Sequence, residues 1–220
     1  MALLKEKDKA FIRDKFEKEL ENPVKVVVFL SKDEKLCHYC NLTKEILDEV
    51  AHLSGGKVLV EVHDFDNEKE LAASYHVERV PGFVLIDSKG KDNGILFSGA
   101  PLGHEFATLL EELVLVSANG NPPLKASTIE KLQQVDKPVK IQVFVTPSCP
   151  YCPGAVIMGH YFAMVNPLIQ SEMVEATEFE ELSRRFQVSS VPKIVINEGK
   201  AEFVGALPEE QYLGYVLQGM

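Results

Sequence analysis

Four cysteines in this chain fall as two C-x-x-C pairs, Cys37/Cys40 in "CHYC" and Cys149/Cys152 in "CPYC". Thiols three positions apart at a helix start share one face, so a disulfide between them opens and closes with little backbone movement. Unpaired N–H groups and the positive end of the helix dipole favour a thiolate there, drawing a cysteine pKa from about 8.5 to roughly 3.5–7.5. Cys37 and Cys149 are then nucleophiles that attack a partner's disulfide, and Cys40 and Cys152 are resolving thiols that break the mixed disulfide. Zinc is the rival use of paired cysteines, but zinc ribbons space their pairs about 15–20 residues apart. Here the gap is 149 − 40 = 109 residues, so no metal site is expected.

The neighbours suit exchange chemistry. In "TPSCPYCPGA" (Thr146 to Ala155), Pro150 is expected at the first helical position, where its fixed φ fits and its missing N–H costs nothing. Pro153 stiffens the same turn. The dipeptides between the cysteines, His38-Tyr39 and Pro150-Tyr151, are read as tuning residues, with His38 able to donate to the Cys37 thiolate. His52, His63, His76, His104 and His160 show no mutual spacing that marks a site and are read as structural.

Elements must hold these pairs in place, and the chain supplies them twice. "ENPVKVVVFL" (Glu21 to Leu30) matches "DKPVKIQVFV" (Asp136 to Val145), and "RVPGFVLID" (Arg79 to Asp87) matches "SVPKIVINE" (Ser190 to Glu198). A third match pairs "LFSGAPLGHEF" (Leu96 to Phe106) with "EFVGALPEEQY" (Glu202 to Tyr212). The offsets are 144 − 29 = 115 at the first-strand phenylalanine, 149 − 37 = 112 at the first cysteine and 192 − 81 = 111 at the proline. Such a period means duplicated domains rather than a solenoid. Helical and β-branched signals alternate as αβαβαββα in each half. The breakers Gly120, Pro122 and Pro123 in "SANGNPPLKAS" divide the chain into domains 1–118 and 119–220. The segment "AVIMGHYFAMV" after Cys152 is apolar nearly all round, as buried helices are. Either it lies at the contact between the halves, with Leu109 to Val116 as its neighbour, or it is central within its own domain.

Bulk properties narrow the function. A net charge of −10 repels phosphate backbones and anionic lipid, so neither nucleic acid nor a membrane is an expected partner. The charges of Lys5, Lys7, Asp8 and Lys9 interrupt the start before a signal-peptide core can form, and the longest apolar region is too short to span a bilayer. A cytoplasmic protein is expected. A reducing compartment reads paired cysteines as redox sites before structural bridges.

The order strand, C-x-x-C, helix, then Val-Pro 81 − 37 = 44 or 192 − 149 = 43 residues after the first cysteine, resembles the thioredoxin fold, and "CPYC" is similar to a glutaredoxin site. Tandem "CHYC" and "CPYC" domains resemble the protein disulfide oxidoreductases of thermophilic archaea and bacteria, a glutaredoxin-like family. The resemblance implies an α/β fold of two tandem thioredoxin-fold domains, each a central mixed sheet flanked by helices. It also implies cis peptides at Val80-Pro81 and Val191-Pro192, where substrate main chain would bind. Gly99 and Gly205 would be close-packed turn positions. One departure stands out: the buried acid of thioredoxins on the strand before the motif is replaced by apolar Val28, Phe29, Val143 and Phe144, which leaves the proton acceptor of the resolving cysteine unassigned.

The expected activity is dithiol–disulfide exchange on disulfide-containing proteins, with no cofactor beyond the sulfur pairs. No G-x-G-x-x-G occurs, so electrons would come from a separate thioredoxin-reductase-like flavoprotein. An electron relay from a flavin reductase to a peroxidase is the alternative, as in the tandem thioredoxin-fold modules of hydroperoxide reductases. A non-catalytic binding module is disfavoured by two intact pairs.

Overall fold

The computed structural model describes residues 4–119 and 121–220. Gly120 of the boundary stretch and the first three residues of the start lie outside them. The first half comprises α1 (Glu6–Glu19), β1 (Val24–Leu30), α2 (Cys40–Leu53), β2 (Val58–Asp64), α3 (Lys69–Ser74), β3 (Gly82–Ile86), β4 (Asp92–Ser98) and α4 (His104–Ser117). The second repeats it with α5 (Ala126–Gln133), β5 (Val139–Val145), α6 (Cys152–Val165), β6 (Ile169–Glu175), α7 (Glu180–Arg185), β7 (Lys193–Ile196), β8 (Ala201–Val204) and α8 (Glu209–Gln218), adding a 3₁₀ turn at Asn197–Gly199. The αβαβαββα order is thus present in both halves.

The sheets, however, are not two. All eight strands form one sheet in the order β2-β1-β3-β4-β6-β5-β7-β8. The join is the parallel pair β4·β6, with Ile95 opposite Ser171 and Ser98 opposite Val174. Each half alone would leave its β4-type and β2-type strands as unpaired edges, which are liabilities. Joining the β4 edge of one half to the β6 edge of the other removes two of the four. The remaining edges are blunted: β2 carries exposed Glu61 beside half-buried His63, and β8 is four residues long.

Helices α4 and α6 cover the join from one face. Leu109, Leu113 and Val116 of α4 and Val156, Phe162 and Ala163 of α6 share one buried cluster with residues of both sheet halves. Phe97 of β4 meets the His160 ring of α6 edge-on at 5.3 Å. Of the two readings of the apolar segment after Cys152, the inter-half contact is the one found.

Strand directions fix the geometry of the sites. β1 is parallel to β2, antiparallel to β3, and β3 is antiparallel to β4, so β1 and β4 run the same way. β6 and β5 continue that direction. The ends of β1 and β5, which lead into the two cysteine pairs, therefore open on the same rim of the sheet. Four strand steps separate them, roughly 19 Å at about 4.8 Å each, too far for one zinc ion to hold both pairs.

Candidate active site

Cys37 is bonded to Cys40 and Cys149 to Cys152, with Cα–Cα distances of 5.5 Å in both. The helices start two residues later than the spacing predicts. In each half the second cysteine is the first helical residue, with Tyr39 or Tyr151 at the N-cap. The first cysteine sits in the turn before it, closed by Cys37 N–H to the Asp33 carbonyl at 2.9 Å or Cys149 N–H to Thr146 at 3.1 Å. Pro150 is accordingly not the first helical residue; it belongs to the turn, and Pro153 takes the early helical position. The reason lies in the i→i−4 ladder: the first helical bond of α2 runs from Thr43 N–H to the Tyr39 carbonyl, leaving the preceding residues to turn geometry. Cys37 and Cys149 still lie in front of a helix N-terminus, where the free N–H groups point.

All four cysteines are buried; Cys149 is 7% exposed where Cys152 is fully covered, while Cys37 and Cys40 do not differ. His38 and Pro150 are exposed, as are Tyr39 and Tyr151. Val80-Pro81 and Val191-Pro192 are cis. Val80 is buried against Cys37 and Cys40, and Val191 packs on the cluster that holds Cys149 and Cys152. Val80 and Val191 make no backbone hydrogen bond to another described residue, so their peptide groups are available to an added strand. Gly99 and Gly205, both with φ near +100°, donate to the Pro81 and Pro192 carbonyls at 2.8 Å and so brace each cis-proline from behind.

The surroundings of the two pairs differ. The Cys40 sulfur accepts a hydrogen bond from Ser31 N–H at 3.2 Å, and the Ser31 hydroxyl donates to Asp66 at 2.6 Å. A cavity of about 490 Å³ beside Cys37 and Cys40 is also lined by Lys44, His63 and Glu68. His63, which the spacing argument left as structural, is held between Glu68 at 2.7 Å and Glu61 at 2.9 Å. Burial works against its charge, yet the hydrogen bonds that its ring N–H groups donate to these carboxylates prevail and keep its pKa above the ordinary imidazole value.

The start of α4, in the first half, reaches the turn that carries the CPYC pair. His104 N–H, at the start of α4, donates to the Pro147 carbonyl at 3.1 Å, two residues before Cys149. The next residue, Glu105, is 1% exposed. Its Oε2 accepts from Thr108 at 2.9 Å, while Oε1 is buried without a partner among the described residues. Burial pushes this carboxyl up to about 7, with the Glu112 charge adding and the Thr108 hydroxyl opposing. A signal was present: Glu105 and Glu112 fall on the same helical face as Leu109, Leu113 and Val116, and carboxylates on a buried stripe are rarely idle. Glu112 in turn meets His160 of α6 at 2.5 Å, both fully buried.

This geometry has known counterparts. Residues 139–218 match a model of the thioredoxin domain, and residues 15–102 match a domain model of unknown function. The chain is 33% identical to the solved protein disulfide oxidoreductase of Aeropyrum pernix, with a TM-score of 0.86, covering 96% of this chain and 91% of that one. A solved chain of the F component of alkyl hydroperoxide reductase, that of Enterococcus faecalis, superposes with a TM-score of 0.86 at 28% identity, over 97% of this chain and 99% of that one. The same component in Staphylococcus epidermidis is 30% identical over 178 residues. That stretch is 81% of this chain and 31% of the relative's length.

Proposed function

The chain belongs to the thioredoxin-fold protein disulfide oxidoreductases, and from that membership we propose that both of its pairs turn over disulfides in polypeptide substrates. The observation that carries this reading is the repeated unit itself: a C-x-x-C disulfide before a helix N-terminus, beside a cis-proline loop with free main-chain groups.

In the reducing direction each pair begins as a dithiol. The Cys37 or Cys149 thiolate attacks one sulfur of the substrate disulfide, and the departing substrate thiolate takes up a proton. Cys40 or Cys152 then gives up its proton and attacks the mixed disulfide, releasing the second substrate thiol and closing the protein's own disulfide. Two electrons have passed to the substrate, and run backwards the same steps oxidise it. At the CHYC site the Ser31 N–H favours the Cys40 thiolate directly. His38, Tyr39, Pro150 and Tyr151, at the exposed mouth of the two sites, tune the sulfurs. The electron carriers are the sulfurs alone, and a flavoprotein reductase resets them. The setting is a cytoplasm whose proteins carry disulfides, as in thermophiles.

The likeness to the alkyl hydroperoxide reductase component favours a second reading, in which one pair relays electrons from a flavoprotein to a peroxidase. Disulfide-reduction assays on wild type, Cys37→Ser and Cys149→Ser separate the cases. Loss of part of the turnover in each single variant supports two substrate sites, whereas undiminished turnover in both overturns the catalytic assignment.

A further inference from the structure

The two cis-proline loops are built alike but walled differently. Beside Val80-Pro81 lies a groove of about 490 Å³ that His38 and Tyr39 enter from the CHYC turn. Its opposite side comes from the other half of the chain: Thr177, Glu178 and Phe179, the connection between β6 and α7. No covalent or local constraint brings these residues there; the β4·β6 join does.

The loop is also tied down across the join. Arg79, immediately before the cis peptide, hydrogen-bonds through Nη1 to Glu172 of β6. Glu172 is fully buried and accepts further bonds from Ser98 at 2.6 Å and Gln142 at 2.9 Å. Arg79 lies 5.8 Å from the centre of the Phe179 ring, and Ala100 N–H donates to Glu178 at 2.7 Å.

Among the described residues the CPYC site has no such wall. A Cβ added at Gly99 would meet Glu175 Cβ at 2.6 Å and Glu178 Cδ at 3.2 Å, whereas at the equivalent Gly205 it would meet nothing within 4 Å. Tyr151 is 72% exposed where Tyr39 is 40%.

We propose that the C-terminal half forms one wall of the substrate groove of the CHYC site, so that this site selects extended polypeptide segments through Phe179 and its neighbours while the CPYC site does not. The proposal rests on the exchange activity proposed above and adds to it which segment each site accepts. Main chain pairs with Val80, and a side chain near the substrate cysteine enters between Leu36, Phe65 and Phe179. Those walls are apolar and Leu36 is 50% exposed, so the favoured side chain is apolar or aromatic. A small disulfide reaches Cys37 without touching the wall.

The test uses two single-site enzymes, Cys149→Ser/Cys152→Ser and Cys37→Ser/Cys40→Ser, assayed with dithiothreitol as reductant. The substrates are insulin, as a disulfide-bonded polypeptide, and hydroxyethyl disulfide, as a small disulfide whose slow direct reaction with dithiothreitol is subtracted. In the CHYC-only enzyme, Phe179→Ala is expected to raise the ratio of KM for insulin to KM for the small disulfide about five- to tenfold. Thr177→Arg raises it similarly by filling the groove. In the CPYC-only enzyme neither substitution moves the ratio by twofold. An unchanged ratio in the CHYC-only enzyme, or an equal change in both, overturns the proposal. A CHYC-only enzyme inert toward both disulfides removes the exchange reading of that half, and the groove with it, a result distinct from an unchanged ratio.

Discussion

Replacing Glu105 with glutamine isolates one buried proton. The carboxyl has an ordinary value of 4.5 and is raised to about 7 in the fold. Between those limits the folded chain holds a proton that the unfolded chain has released, so unfolding stability falls as pH rises. The contribution is whole below pH 4.5 and gone above pH 7. The shift of roughly 2.5 pH units at about 1.4 kcal/mol each is worth about 3 kcal/mol. Glutamine cannot ionise, and its carbonyl oxygen still accepts from Thr108, although its amide group, placed where Oε1 has no partner, costs about 1 kcal/mol. Glu105→Gln is therefore expected to be slightly less stable than wild type at pH 5 and about 2 kcal/mol more stable at pH 9. Urea denaturation of the oxidised proteins at both pH values reads this directly. Glu178, also raised to about 7 by burial, is present in both proteins and cancels in the comparison. Parallel stability profiles for the two proteins would refute the buried, protonated carboxyl.

Other perturbations follow from the same contacts. Gly103→Ala drives a Cβ into the Pro147 carbonyl oxygen at a residue with φ of +59°, so it is expected to cost about 1–3 kcal/mol and to impair the CPYC site while sparing the CHYC site, read by thermal melting and single-site assays. His63 is expected to titrate above 6.5 by NMR, and Glu68→Gln to bring it down; any stability it lends is present at low pH and fades as pH climbs through its raised pKa. Glu172→Gln removes the buried member of the two carboxylates that Arg79 meets and leaves it the exposed Glu78 at 3.0 Å, so stability is expected to fall by about 1–3 kcal/mol, measurable by urea denaturation. Because β4 and β6 are one ladder, the oxidised wild type is expected to unfold in a single transition reported equally by probes in either half, and two separated transitions would contradict the continuous sheet.

Much of this molecule was legible in its residues. The paired cysteines, the duplicated strand patterns and the largely apolar segment after Cys152 are local signals, and they mark a turn, repeated strands and a buried helix; the cis-prolines were legible only through the resemblance to the thioredoxin fold, since Val-Pro by itself favours trans. The join was not legible, and one pair of positions shows why. Lys25 and Glu61 in the first half occupy the same places in their strands as Lys140 and Glu172 in the second. At the outer edge Glu61 forms a half-exposed ion pair with Lys25 at 3.0 Å. At the join Glu172 is fully buried and ties β6 to Arg79, Ser98 and Gln142. A strand cannot announce from its own sequence which edge will be covered, since the hydrogen-bonding groups that decide it are the backbone N–H and C=O that every residue but proline carries. For the same reason His104, 149 − 104 = 45 residues before Cys149, meets the Pro147 carbonyl of the CPYC turn only once the two sheets have closed into one.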